Sequence, residues 1–199
     1  MKTYSDMVQY SPEWFQIKEK KMGASHAQAI GNYGKGLKTY IESMMCEYYS
    51  KKPKEIYTNK HLERGLDLED SAGMTYSFDK NISVKKVGFV LYNNYVGCSP
   101  DLLADEDGLA EIKCPDDKTH FPLILGGEFE SNYIWQAQMQ MLICEKKWCD
   151  LVAYNPNYTQ YLVVKRLEPD QEMFDKLLKG FALGEKMIRE IEQKMGKRQ

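Results

Sequence analysis

Nine residues separate Asp101 from Glu111, and that short interval constrains the fold more than any other part of the chain. Asp101 closes the turn Ser99-Pro100-Asp101 after a short strand. Glu111-Ile112-Lys113 lies on the next extended segment, beyond the turn Asp105-Glu106-Asp107-Gly108. Alternate side chains of a strand share a face. Glu111 and Lys113 therefore emerge together, with Ile112 and Cys114 pointing the other way. The chain must fold into something that tolerates two carboxylates and a lysine on adjacent strands.

The surrounding pattern reads as a mixed sheet with helices around it. Ser11 caps a helix with Pro12 in its first turn, running through Trp14, Phe15 and Ile17 to stop near Gly23. Ser25 is expected to cap a short second helix. Leu37, Ile41, Met44, Met45 and Tyr48 form a helical stripe ending before Pro53. Leu62, Leu66, Glu69 and Gly73 fall on one face of a further helix, so Glu69 shares a face with leucines and needs a partner there. Strands are expected over Ile82–Leu91, Tyr95–Cys98, Leu109–Cys114, Trp148–Tyr154 and Tyr161–Lys165. Ser131 is expected to cap a helix carrying Ile134, Gln138, Met141 and Leu142. From Pro169 onward, Phe174, Leu177, Leu178, Phe181, Ile188, Ile191 and Met195 mark an amphipathic last helix. The order predicts an α/β (α+β mixed sheet) fold in a single domain over 1–199.

Bulk properties exclude more than they assign. The 199 residues, 43% hydrophobic and 28% charged, suit one domain with a sizeable core. A net charge of -2 rules out a chain coated in basic residues, although positive charge can still be confined to one channel. The five cysteines contain no Cys-x-x-Cys pair, against zinc-ribbon, thioredoxin and iron–sulfur readings and for reduced core thiols. No apolar run resembles a signal peptide or a membrane span, so an intracellular, cytoplasmic protein is expected.

The acidic cluster suits phosphodiester chemistry. Such cleavage must generate a nucleophile from water and stabilise charge on phosphorus and on the leaving oxygen, work that one or two magnesium ions can share. Magnesium takes oxygen ligands. Asp101, Glu111 and the Ile112 carbonyl can supply them, with Glu69 entering from its helix. Lys113 can orient the water or balance charge on the phosphate. Taken alone, a Glu-x-Lys strand is an ordinary solvated face; the ordered combination is what carries the reading.

The segments Trp14-(x)3-Lys18-(x)6-Ser25, Gly65-(x)3-Glu69, Cys98-Ser99-Pro100-Asp101, Glu111-Ile112-Lys113-Cys114-Pro115 and Ala137-Gln138-Met139-Gln140 resemble the lambda exonuclease branch of the PD-(D/E)xK nucleases, also described as YqaJ-type viral recombinases. The resemblance spans about residues 14 to 155. It implies a restriction-endonuclease-like core with flanking helices. It also implies a magnesium-dependent 5′-to-3′ exonuclease, tolerant of manganese, that digests one strand of linear double-stranded DNA to mononucleotides. Ring-shaped homotrimers, a single-strand annealing recombinase partner and a phage or prophage origin in a bacterial host belong to the same implication. Position by position, it makes Asp101, Glu111 and Glu69 metal-site carboxylates and Lys113 the catalytic lysine. Gln138 becomes the supporting glutamine, with Gln140 as the alternative. Lys18, Ser25 and Ser99 become the 5′-phosphate contacts. Lysine stands at position 18 where the family has arginine, a point charge in place of a planar fork, with Lys20 and Lys21 nearby.

Two rivals remain at this level: an endonuclease of the same fold, and a catalytically silent DNA-binding or annealing protein. Gly31-Asn32-Tyr33-Gly34-Lys35-Gly36 lacks the Ser or Thr of a nucleotide-binding phosphate loop. As a basic loop it offers Lys35 and Lys38 to a DNA backbone.

Overall fold

A computed structural model describes residues 1–50 and 60–196, apart from the side chains of 60–63 and 66. In chain order it contains β1 (Lys2–Tyr4), α1 (Pro12–Lys18), a 3₁₀ turn (Ala24–His26), α2 (Ala27–Asn32), α3 (Lys35–Tyr49) and α4 (Lys60–Lys80). Then come β2 (Val84–Lys85), β3 (Phe89–Asn93), β4 (Val96–Cys98), β5 (Leu102–Ala104) and β6 (Gly108–Lys113). The chain continues through α5 (Asp117–Ile124), α6 (Ser131–Cys144), β7 (Trp148–Tyr154), β8 (Leu162–Leu167) and α7 (Gln171–Met195).

The strands form two sheets. One is three-stranded, in the order β1-β3-β4; the other is five-stranded, in the order β2-β5-β6-β7-β8. Within the larger sheet only β6 and β7 run parallel. Its strand β6 is buried on both faces, as a sheet covered by helices requires. Ala110, Ile112 and Val152 pack with Ala72 and Tyr76 of α4. On the other face, Leu109, Leu151 and Ala153 share a core with Met139 and Ile143 of α6. Helix α7 lies on α2 and α3 and buries Leu177, Phe181 and Ile188 along one stripe. Gly180 permits the close approach, because a Cβ there would sit 2.1 Å from the Ile30 carbonyl oxygen.

Several sequence expectations are corrected. The single strand over 82–91 is two strands in two sheets. Gly88 stands at the switch, where a Cβ would lie 2.1 Å from the Met7 carbonyl oxygen, so the chain turns from one sheet to the other where only glycine fits. Helix α1 ends at Lys18, not near Gly23. Lys20 takes a left-handed φ of 56°, and Met22 then pairs with the edge of β4 through Met22 N–H to Tyr95 O (2.8 Å) and Gly97 N–H to Met22 O (3.2 Å). Ser25 lies inside the 3₁₀ turn and caps nothing. Ser131 is the first residue of α6, behind Glu130, and its hydroxyl accepts from Gln28 Nε2 (3.3 Å). Helix α5, capped by Asp116, was not expected, nor was β5. The segment around Gly31 to Gly36 is no open loop: α2 ends at Asn32, Tyr33 turns left-handed at φ 34°, and Lys35 starts α3. Helix α3 stops at Tyr49, before Pro53 as expected, while the side chains of Leu62 and Leu66 lie outside the described residues.

Candidate active site

Hairpin register assembles the cluster. Leu102 pairs with Ala110 across β5 and β6, so Asp101 and Glu111 occupy the next rung. There the Asp101 carboxylate accepts the Ile112 N–H at 2.6 Å. Alternation along β6 sends Ile112 toward α4 and Glu111 with Lys113 toward α6, as the sequence predicts. Glu111 is only 2% exposed. Its Oε1 accepts from Lys113 Nζ (2.7 Å) and Gln136 Nε2 (2.5 Å), and its Oε2 from Gln140 Nε2 (2.6 Å). The Lys113 ammonium also lies 4.7 Å from the Tyr133 ring centroid.

Helix periodicity decides which glutamines reach the cluster. Gln136 and Gln140 are four residues apart and share one face. Gln138 lies well round the helix from both. Its amide donates to the Glu168 carbonyl (2.8 Å) and its carbonyl accepts the Asp170 N–H (2.9 Å), tying α6 to the start of α7. Gln138 is thus a brace between elements, and Gln140 takes the position expected of it. Gln136 and Tyr133 were not singled out from sequence, although the i, i+4 relation of two glutamines was available as a signal.

The site is crowded with negative charge. Burial pushes the Asp101 carboxyl well above its ordinary range, and the Glu111 and Glu69 carboxylates add to the shift against the opposing Lys113. Glu69 is raised as well, chiefly by burial, with Lys86 pulling the other way. Burial works against the Lys113 ammonium, but Glu111 and Asp101 more than compensate and hold its pKa above the usual value. Burial also raises the Cys114 thiol, to about 11. Among the described residues, no three His, Cys, Asp or Glu side chains are gathered into a ready-made metal site. The oxygen donors that converge are nevertheless hard ones, and their excess negative charge over a single lysine is what a hard divalent cation would relieve.

These groups open onto a cleft of about 1040 Å³ whose lining includes Glu69, Asp101, Glu111 and Lys113 together with Lys18, Ser25 and Ser99. Ser99 accepts from Trp14 Nε1 at 2.8 Å, and Lys18 Nζ lies 3.5 Å from the Trp14 ring centroid. The Met22 bridge to β4 is what swings the Lys18–Ser25 segment beside Ser99. Ser25 Oγ lies 3.2 Å from His26 Nδ1, and His26 stacks on Tyr40 at 4.0 Å. Lys20 is engaged by Glu192 (2.5 Å). Lys35 and Lys38 stand exposed on α3 outside the cleft, Lys38 3.8 Å from Glu42.

The profile of the YqaJ-like viral recombinase domain matches residues 13–147. The chain is similar to the crystal structure of an alkaline exonuclease, LHK-Exo, from Laribacter hongkongensis, with 27% identity and a TM-score of 0.80 over 93% of this chain and 98% of that one. The structure of LHK-Exo in complex with dAMP gives a TM-score of 0.81 at the same identity and coverage. A phage-related exonuclease from Haemophilus somnus 129PT shares the fold at 14% identity, with a TM-score of 0.74 over 91% and 99% of the two chains. No curated protein matches the chain.

Proposed function

The chain belongs to the YqaJ-like viral recombinase family, with the helix-flanked mixed sheet of PD-(D/E)xK nucleases, and on that premise we propose that it is a magnesium-dependent 5′-to-3′ exonuclease acting on one strand of linear double-stranded DNA. One observation carries the reading: the Asp101–Glu111–Lys113 cluster, with Glu111 buried and its neighbours half-buried, and the Lys18, Ser25 and Ser99 side chains line a single cleft. A phosphodiester at the carboxylates and a terminal phosphate at the basic wall would then be one nucleotide's two ends. The similarity to an alkaline exonuclease, itself known in complex with dAMP, supports nuclease chemistry that ends in mononucleotides.

Asp101, Glu111, Glu69 and the Ile112 carbonyl are the donors that would hold magnesium. When bound, magnesium supplies Lewis acidity toward the scissile phosphate and its attacking water. Glu111, with its oxygens aimed by Lys113, Gln136 and Gln140, would accept a hydrogen bond from that water. Lys113, which donates to Glu111 Oε1 at 2.7 Å, is placed to donate to the phosphate oxygens or to orient the attacking water. The 3′ oxygen of the departing nucleotide leaves as the water oxygen joins phosphorus. Gln140, outside the cleft lining, acts by positioning Glu111, and Gln136 positions it from the cleft wall.

The same reading assigns a ring-shaped homotrimer and a single-strand annealing partner for the 3′ tail it would leave. Solution mass tests the trimer. Initial rates on 5′-phosphorylated and 5′-hydroxyl duplexes test the function itself. Faster digestion of phosphorylated ends, with the difference shrinking in Lys18→Ala, supports it. Equal rates on both ends in the wild type would remove the 5′-phosphate pocket.

A further inference from the structure

Tyr10 is an exposed aromatic residue of the cleft that the chemistry above leaves without a task. Its backbone is left-handed at φ 66°, a conformation that costs a non-glycine residue energy and persists where its surroundings fix it. The flanking residues supply that restraint. Gln9 Nε2 donates to the carbonyls of Val87 (3.0 Å) and Pro100 (3.1 Å), the latter next to Asp101. On the other side, Ser11 caps α1 by accepting the Trp14 N–H at 3.2 Å. The turn is thus bolted to the strand ends that carry the carboxylates.

The ring itself stays available. Tyr10 is 44% exposed although it lines the cleft, and its centroid lies 5.0 Å from that of Trp14 at a 38° tilt. Trp14 in turn carries Lys18 over its face and donates to Ser99. Tyr10 therefore sits between the basic wall and the carboxylates. Its hydroxyl feels the carboxylate side: burial raises its pKa, and Glu69, Asp101 and Glu111 add to the shift against Lys113. A nucleoside joining a terminal phosphate at Lys18 to a phosphodiester at Asp101 and Glu111 must lie against this wall. Aromatic stacking suits that task because every base has a π-face.

We infer that the Tyr10 ring is a stacking platform for the base of the 5′-terminal nucleotide, positioning its 3′ phosphodiester on the carboxylates. This rests on the exonuclease reading and deepens it. The platform makes the cleft indifferent to base identity but sensitive to whether a base is present. It also explains why a tyrosine occupies a left-handed turn that glycine would hold without cost.

The test uses duplexes ending in a normal nucleotide, an abasic nucleotide or 2-aminopurine. Wild-type protein should show a KM about tenfold higher on the abasic end, the scale set by one lost base–aromatic stack. Tyr10→Ala and Tyr10→Gly should raise KM on the normal end about tenfold and lose the difference between ends. Tyr10→Gly also relieves the backbone, so its loss cannot come from a failed turn. Tyr10→Phe should keep the discrimination. Separately, wild-type protein should quench terminal 2-aminopurine fluorescence in EDTA, and Tyr10→Gly should not. Quenching that survives Tyr10→Gly, or discrimination between ends that survives it, overturns the platform. Tyr10-dependent quenching in a protein that releases no nucleotides overturns the exonuclease reading and leaves the platform standing.

Discussion

Glu111 has both carboxylate oxygens occupied in a site that is 2% exposed, so its geometry depends on three donors rather than on its own strand. Removing Gln140, which is fully buried and donates at 2.6 Å, should lower kcat about 10–100-fold, the usual cost of losing a residue that orients a metal-site carboxylate. Gln138→Ala should leave kcat near the wild-type value and instead cost about 1–3 kcal/mol of stability, because the Glu168 carbonyl and Asp170 N–H lose their partner. Steady-state kinetics with urea unfolding of the two variants separates these roles. Sequence placed a glutamine on this helix but not its rotational phase, which follows from where α6 begins and how it lies on β6. Asp101 yields a pH prediction. Its carboxyl is raised in the folded chain, so the folded state binds the extra proton, and metal-free stability falls as pH rises from the ordinary carboxylate range through Asp101's own pKa. In EDTA, Asp101→Asn should therefore lose less Tm than wild type between pH 5 and pH 8. At the higher pH it should melt above wild type, while losing activity. An equal decline in both proteins would contradict the buried charge.

Among the elements, the β5–β6 hairpin and the Gly88 switch do most to build the site. The Glu-x-Lys strand was legible because alternation and an acidic turn mark it locally. Strand β5 was not, since Leu102–Ala104 is too short to show a period. The region 82–91 looked continuous because it is apolar on both sides of Gly88. What divides it is a tertiary contact, the Met7 carbonyl, that no local pattern encodes. Gly88→Ala must push that backbone aside, and overpacking of this kind costs about 1–3 kcal/mol or more. A lower urea midpoint at unchanged m-value is the expected result. Helix α5 was hidden by Pro122 in its interior, although Asp116 provides an ordinary cap by accepting the Thr119 N–H at 2.9 Å.

The molecule as a whole combines a net charge of -2 with a cleft that has a basic wall and an acidic floor. Composition hides this division, and only the packing of α1, the Met22 bridge and the hairpin brings the two halves together. Among the described residues no helix is long and apolar enough to cross a membrane. The family motifs pointed to Asp101, Glu111, Glu69 and Lys113 along the chain, and the fold sets all four in the lining of one cleft. The fold adds which groups lie near enough to act together, and it moves Lys35 and Lys38 out of the cleft. The measurement that bears most directly on the central claim is nucleotide release from linear duplex DNA beside covalently closed plasmid, with magnesium and with EDTA. Mononucleotides should appear from the linear duplex with magnesium only, none should appear with Asp101→Asn, and the closed circle should stay intact. Prompt cutting of the closed circle, or no release from the linear duplex, would contradict an exonuclease that starts from a 5′ end.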